Sequence, residues 1–98
     1  MMDHELRSTF ASTAGGVMTV EAGAVTGDLE LLTRPGEEGL VEVLVRYAGT
    51  EEWYMVSGSP VPAEAGGPRV THETVLARLT TPGPVEGGNE PPVDLLGP

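Results

Sequence analysis

His72 is the residue of this sequence best placed to do acid–base chemistry. It lies in a segment with helical spacing, and imidazole is the side chain that titrates closest to neutral pH. No serine occupies the strand-to-helix turn of a nucleophile elbow, and nothing in the spacing places Glu64 or Glu73 against the ring. We therefore interpret His72 as a partly buried residue at the edge of a helix–sheet contact, and we predict no catalytic residue.

Two pairs of adjacent carboxylates, Glu37 with Glu38 and Glu51 with Glu52, lie in predicted turns. A glycosidase needs two opposed carboxylates in a cleft, and a calcium loop needs acidic residues that alternate along it. Neither pair meets these requirements. The chain has no cysteine and only two histidines, which argues against a closed zinc site. The sequence predicts no metal and no cofactor.

Trp53 and Tyr54 are neighbours on a predicted strand, so their side chains point to opposite faces of the sheet. One is expected in the core and the other at least partly exposed, unless the N-terminal segment or the tail covers it. An exposed aromatic residue near Arg46, Glu51 and Glu52 has the composition of a protein-binding hot spot. These five residues form the predicted partner-binding site.

The predicted elements centre on a hairpin at residues 40–58. Apolar residues alternate from Val41 to Tyr47, a turn with a glycine follows, and a second extended run spans residues 53–56. Period-two spacing rich in β-branched and aromatic residues is typical of strands, and two such runs around a short loop indicate a hairpin.

Two more strands, at residues 17–22 and 28–34, precede the hairpin and complete a four-stranded antiparallel β-meander. A helix is predicted at about residues 71–81, with Thr71 as its N-cap and Pro82 beyond its end. A helix of this length is unstable alone, so it must pack on the sheet. The predicted fold class is α+β.

One small domain is predicted over residues 1–81. Within it, residues 1–14 have only weak helical spacing, with Leu6 and Phe10 four positions apart, and are expected to be weakly ordered. Residues 82–98 contain five prolines and four glycines and few apolar side chains. Such a composition predicts a disordered tail.

The chain of 98 residues has fifteen acidic and five basic residues, for a formal net charge of −10 at pH 7. This charge repels nucleic acids and anionic membranes and attracts basic proteins, although acidic surfaces also serve solubility alone. No secretory signal or membrane-spanning run is evident, so a cytoplasmic location is expected. All basic residues are arginine, which, with the high glycine, alanine, valine and proline content, indicates a GC-rich bacterial genome.

These observations predict a small non-enzymatic module, regulatory or inhibitory in type, that binds a basic partner protein. The protein could also form a homo-oligomer, because about 80 ordered residues bury only a thin core and oligomerisation would add buried surface. One alternative is a ligand binder or enzyme with a pocket between sheet and helix near His72 and Tyr54, which a ligand-sized cavity would favour. Another is a nucleic-acid mimic, which carboxylates clustered on one face would favour.

Overall fold

A computed structural model describes residues 5–96 and has an α+β fold with antiparallel sheets followed by one helix. The main sheet has the strand order β1-β4-β5-β6, and β7 also pairs with β5, whereas β2 and β3 form a separate hairpin. The elements are β1 (Leu6–Ala11), β2 (Val17–Thr19), β3 (Gly23–Val25), β4 (Asp28–Pro35), β5 (Leu40–Tyr47), β6 (Tyr54–Met55), β7 (Val61–Pro62) and α1 (Pro68–Leu79).

The main sheet has five strands rather than the predicted four, because β1 and β7 belong to it and β2 does not. This strand pairs antiparallel with β4, from Leu6 opposite Thr33 to Ala11 opposite Asp28. Half-buried and exposed residues alternate along it, which is the pattern of a strand with one face on a core. The N-terminal segment is therefore an ordered strand over residues 6–11, while its residues 1–4 lie outside the described part of the chain.

The β2–β3 hairpin replaces the long strand predicted at residues 17–22. The Thr19 hydroxyl donates to the Gly23 carbonyl at 2.7 Å and accepts the Ala22 N–H at 3.0 Å, so one side chain satisfies the backbone of the turn. A bridge between Thr19 and Val56 connects the hairpin to the end of β6. The predicted meander is thus interrupted, since β2 and β3 pair with each other instead of with β4.

Helix α1 begins at Pro68 and ends at Leu79, rather than spanning residues 71–81. Proline is suited to the first turn because its missing N–H would have no partner inside the helix. The predicted N-cap, Thr71, is instead a buried helical residue whose hydroxyl donates to the Gly67 carbonyl at 3.0 Å and accepts the Glu64 N–H at 2.8 Å. Within residues 5–96, no helix is long and apolar enough to cross a bilayer.

The hydrophobic core lies between the helix-facing side of the main sheet, α1 and the β2–β3 hairpin. Its side chains alternate with outward-pointing ones along β4 and β5, as expected for a sheet with one face on a core. The buried residues of this cluster are Val17, Val25, Leu29, Leu31, Val43, Val45, Val56, Val75, Leu79 and Val93.

The last residue of that cluster, Val93, comes from the segment predicted to be disordered. It forms a parallel bridge with Val17 and is 8% exposed. Its N–H donates to the Gly16 carbonyl at 2.8 Å, and its own carbonyl accepts the Met18 N–H at 2.8 Å. The tail therefore adds one short strand-like contact and one apolar side chain to the domain.

Two glycines allow the backbone of the tail to come this close. A Cβ at Gly15 would overlap the Pro91 carbonyl, and a Cβ at Gly58 would lie 2.6 Å from the carbonyl carbon of Leu95. Gly58 also has a φ of +98°, which strongly disfavours a side chain. Composition ignores the space that glycines elsewhere leave open, so these contacts of residues 90–96 could not be predicted from it. The disorder of residues 82–98 stays a prediction.

Candidate partner-binding surface

The face of the main sheet that points away from α1 carries Arg46 and Trp53 of the predicted site. The antiparallel register arranges its side chains in rows across β1, β4, β5 and β6. We call this surface the open face. It consists of Arg7, Thr9, Glu30, Leu32, Arg34, Glu42, Leu44, Arg46, Trp53 and Met55.

Trp53 is half-buried at the centre of the open face, between two arginines. The guanidinium carbon of Arg46 is 4.3 Å from the ring centroid, and that of Arg7 is 5.7 Å away. Because these arginines lie on β5 and β1, the ring extends from the β6 edge across the sheet. Leu32 and Leu44 are only 2% and 9% exposed although no helix covers this face. These two leucines therefore present little apolar surface on the open face.

The arginines of the open face are paired with carboxylates of the same face. The least exposed pair is Arg46 with Glu30, in which Nε and Nη2 both donate to Oε1, at 2.8 and 2.7 Å. This pair is well shielded, which favours a fixed geometry for the guanidinium that lies on Trp53. The other pairs are Arg34–Glu42 at 2.7 Å and Arg7–Glu5 at 3.4 Å. The centre of the open face is consequently close to electrically neutral.

Tyr54 points to the opposite side of the sheet, where it lies across from Val45. It is half-buried and contacts the ring of Tyr47 edge to face, with centroids 6.5 Å apart. Its hydroxyl donates to Glu52 Oε1 at 3.2 Å, and partial burial together with the Glu52 carboxylate raises the pKa of Tyr54. The structure thus brings Arg46 and Trp53 together and separates Tyr54 from them.

Glu51 and Glu52 are exposed in the loop between β5 and β6, at one edge of the open face. Glu21, from the turn between β2 and β3, reaches the same edge, because its Oε1 accepts the Met55 N–H at 2.8 Å. We call these three glutamates the acidic rim. Among residues 5–96, none of them forms an ion pair with an arginine. Glu21 could not be assigned to this edge from sequence spacing, because it reaches Met55 through a hairpin that the sequence does not predict.

His72 lies on the other side of the sheet and is 4% exposed. Its Nε2 is 2.8 Å from the Ser8 hydroxyl and its Nδ1 is 2.7 Å from the Thr33 hydroxyl. A neutral ring satisfies both contacts, since each hydroxyl can donate or accept. Burial, followed by the nearby Arg69, lowers the pKa of His72, and Glu73 opposes that shift. The ring lacks the carboxylate partner of a serine-hydrolase triad and instead links α1 to β1 and β4.

Leu31, Val43 and Val45 are fully buried in the core cluster against which Tyr54 packs. A groove of about 650 Å³ lies between the last turn of α1 and the tail. Its lining residues are Ala77, Arg78, Thr81, Gly83, Pro84, Pro91, Pro92, Val93 and Asp94. Within residues 5–96, no cluster of three or more histidine, aspartate or glutamate side chains is placed to hold a metal ion.

Acidification should destabilise the fold through His72. Its pKa is about 6.5 in an unfolded chain and lower in the folded one. Below about pH 6.5 the unfolded state therefore binds more protons, and the free energy of unfolding falls until the pH reaches the folded pKa. Urea unfolding would be measured from pH 7.5 to pH 5.5, a range of about one unit on either side of the unfolded pKa. Over this range the free energy of unfolding should fall more steeply for the wild type than for His72→Gln. His4 is present in both proteins, so any contribution from it cancels in the comparison. Equal slopes of the free energy of unfolding against pH would contradict the prediction.

No protein-family model, curated protein or solved structure matches this chain.

Proposed function

We propose that the protein is a non-enzymatic binding module that engages a basic partner protein through the open face and the acidic rim. The observation that supports this most is the position of Trp53. It is an incompletely buried aromatic ring, located between Arg7 and Arg46, on the one face of the main sheet that α1 does not cover. Tryptophan and arginine are enriched among residues that dominate binding energy.

The arrangement of charge fits the same role. The centre of the open face is neutral because its arginines are paired, and its apolar side chains are shielded. The acidic rim carries unpaired negative charge at the edge, where solvent reaches it. Interfaces are commonly organised in this way, with aromatic and apolar groups at the centre and charged groups around them. The rim would attract a basic protein over a distance, and Trp53 would hold it at contact.

The two alternatives receive less support from the same observations. The unpaired carboxylates are distributed over several loops, α1 and the tail, and those within the open face are paired with arginines, which does not favour a phosphate mimic. Buried His72 binds two hydroxyls, which does not favour a ligand pocket there.

The partner-binding hypothesis predicts different kinetic effects for the rim and for Trp53. Wild type and Trp53→Ala would be used side by side to capture partners from cell extract, and a partner retained only by the wild type would be purified. In surface plasmon resonance, Glu51→Lys with Glu52→Lys should slow association about tenfold or more at low salt. Trp53→Ala should speed dissociation about 30-fold, the effect of roughly 2 kcal/mol at a hot spot. Higher salt should weaken association of the wild type.

The matched control is Glu37→Lys with Glu38→Lys. It makes the same change in charge in the loop between β4 and β5, at the other end of β5 from the rim. A general effect of net charge would slow association equally in both double variants, whereas the proposed rim predicts the larger effect at Glu51 and Glu52. A partner whose binding ignores salt, the rim and Trp53 would refute the proposal. Unchanged thermal midpoints are required of every variant before its kinetics are interpreted.

A further inference from the structure

We propose that a second copy of this chain pairs with the outer edge of β1 and extends the main sheet across a two-fold axis. Strand β1 is first in the order β1-β4-β5-β6, so β4 occupies one of its edges and the other faces outward. Within residues 5–96, no other backbone hydrogen-bonds to that outer edge. An unpaired strand edge is a template for pairing with another strand.

The hydrogen-bond pattern identifies the backbone groups that face outward. The Ser12 N–H donates to the Gly27 carbonyl at 2.9 Å, just beyond the end of the β1–β4 ladder. In an antiparallel ladder, residues that bond to the neighbouring strand alternate with residues that do not. Every second residue before Ser12 therefore bonds to β4, and the residues between them point their N–H and C=O groups outward. These outward-facing residues are Arg7, Thr9 and Ala11, all of them exposed.

Within residues 5–96, this edge lacks the usual protection against pairing. Natural edge strands are commonly protected by proline, lysine, a bulge or a covering segment. The sequence of β1, Leu-Arg-Ser-Thr-Phe-Ala, contains no proline, glycine or lysine, and the charge of Arg7 is balanced by Glu5 at 3.4 Å. Two copies with a net charge of −10 each repel one another over most of their surface. Because its charge is balanced, the β1 edge adds little to that repulsion.

The sequence of β1 is self-complementary when the axis passes through Ser8. In this register Arg7 exchanges backbone hydrogen bonds with Thr9 of the second copy, and Leu6 lies opposite Phe10 of the second copy. Leu6 and Phe10 are half-buried on the helix-facing side, so pairing removes more of their apolar surface from water. With the axis at Thr9, Phe10 would face Ser8 and Leu6 would face Ser12, and this gain would be lost.

Sedimentation equilibrium on the full chain tests the pairing. The wild type should form a reversible dimer between micromolar and millimolar protein concentration. Thr9→Pro removes an outward N–H but no bond to β4, and it should weaken dimerisation at least tenfold. Thr9→Lys should do the same without proline, because it places two like charges near the axis, whereas Thr26→Lys makes the same change at an exposed site outside β1 and should have no effect.

Cross-linking tests the register. Ser8 would face Ser8 of the second copy as a non-hydrogen-bonded pair, at a Cα separation of about 4.5 Å that suits a disulfide. The chain has no cysteine, so Ser8→Cys should give a covalent dimer quickly under mild oxidation, and Thr50→Cys in an exposed loop should not. Equal cross-linking at both positions would overturn the register. A wild type that stays monomeric throughout, or a dimer that neither Thr9 variant weakens, would overturn the pairing.

Discussion

Leu79→Ala should lower the free energy of unfolding by about 2–5 kcal/mol, the range for truncating a fully buried leucine. Leu79 is 0% exposed in the last turn of α1, within the cluster that contains Val43 and Val45. Because a domain of this size is stabilised by only about 5–15 kcal/mol, and a thin core lies near the lower limit, this variant should be close to unfolding.

Leu76→Ala is the matched control for that experiment, since it removes the same atoms from the same helix at a half-buried position. Its effect, measured by urea denaturation under identical conditions, should be clearly smaller. Losses of equal size would mean that the two leucines are buried alike, and that α1 packs on the sheet in another orientation than described.

Val93→Asp should lower the thermal midpoint by at least about 8 °C. An unpaired carboxylate in the place of a buried valine costs about 2 kcal/mol or more, and each kcal/mol shifts the midpoint of a small domain by about 4–8 °C. Val85→Asp places the same side chain at an exposed position of the same tail, where valine is 63% exposed, and should change the midpoint little.

Deletion of residues 83–98 extends this test to the predicted domain limit at residue 81. If Val93 and its hydrogen bonds to Gly16 and Met18 contribute as described, the truncated chain should lose at least as much stability as Val93→Asp. A truncated chain with the midpoint of the wild type would instead support a domain that ends at residue 81.

The strands that could be predicted from the sequence are those whose pattern is decided locally. Every second residue from Val41 to Tyr47 is apolar, and β5 spans Leu40–Tyr47 as expected. Strand β1 could not be predicted in this way, because Leu6 and Phe10 would lie on the same side of the segment whether it formed a helix or a strand. What makes this segment a strand is its pairing with β4, which lies much later in the sequence. Such pairing is a property of tertiary structure.

Some features of the candidate surface could likewise be predicted from the sequence, and others could not. The alternation of Trp53 and Tyr54 between two faces follows from strand geometry alone, and the structure has it. Arg7 contacts Trp53 from a strand whose existence the sequence left open. The partners of His72 could not be predicted either, because Ser8 and Thr33 are 64 and 39 positions away and a hydroxyl has no distinctive spacing.

The contact of the tail with the rest of the domain has a consequence for synthesis of the chain. Strands β1, β4 and β5 lie in the first half of the sequence and can pair as soon as they leave the ribosome. The bridge between Val17 and Val93 forms only when Val93 has emerged. Likewise, Gly15 and Glu90 share a hydrogen bond although they are 75 positions apart. Contacts between such distant positions form slowly. We therefore expect the nascent chain to expose part of its apolar interior until Val93 has left the ribosome.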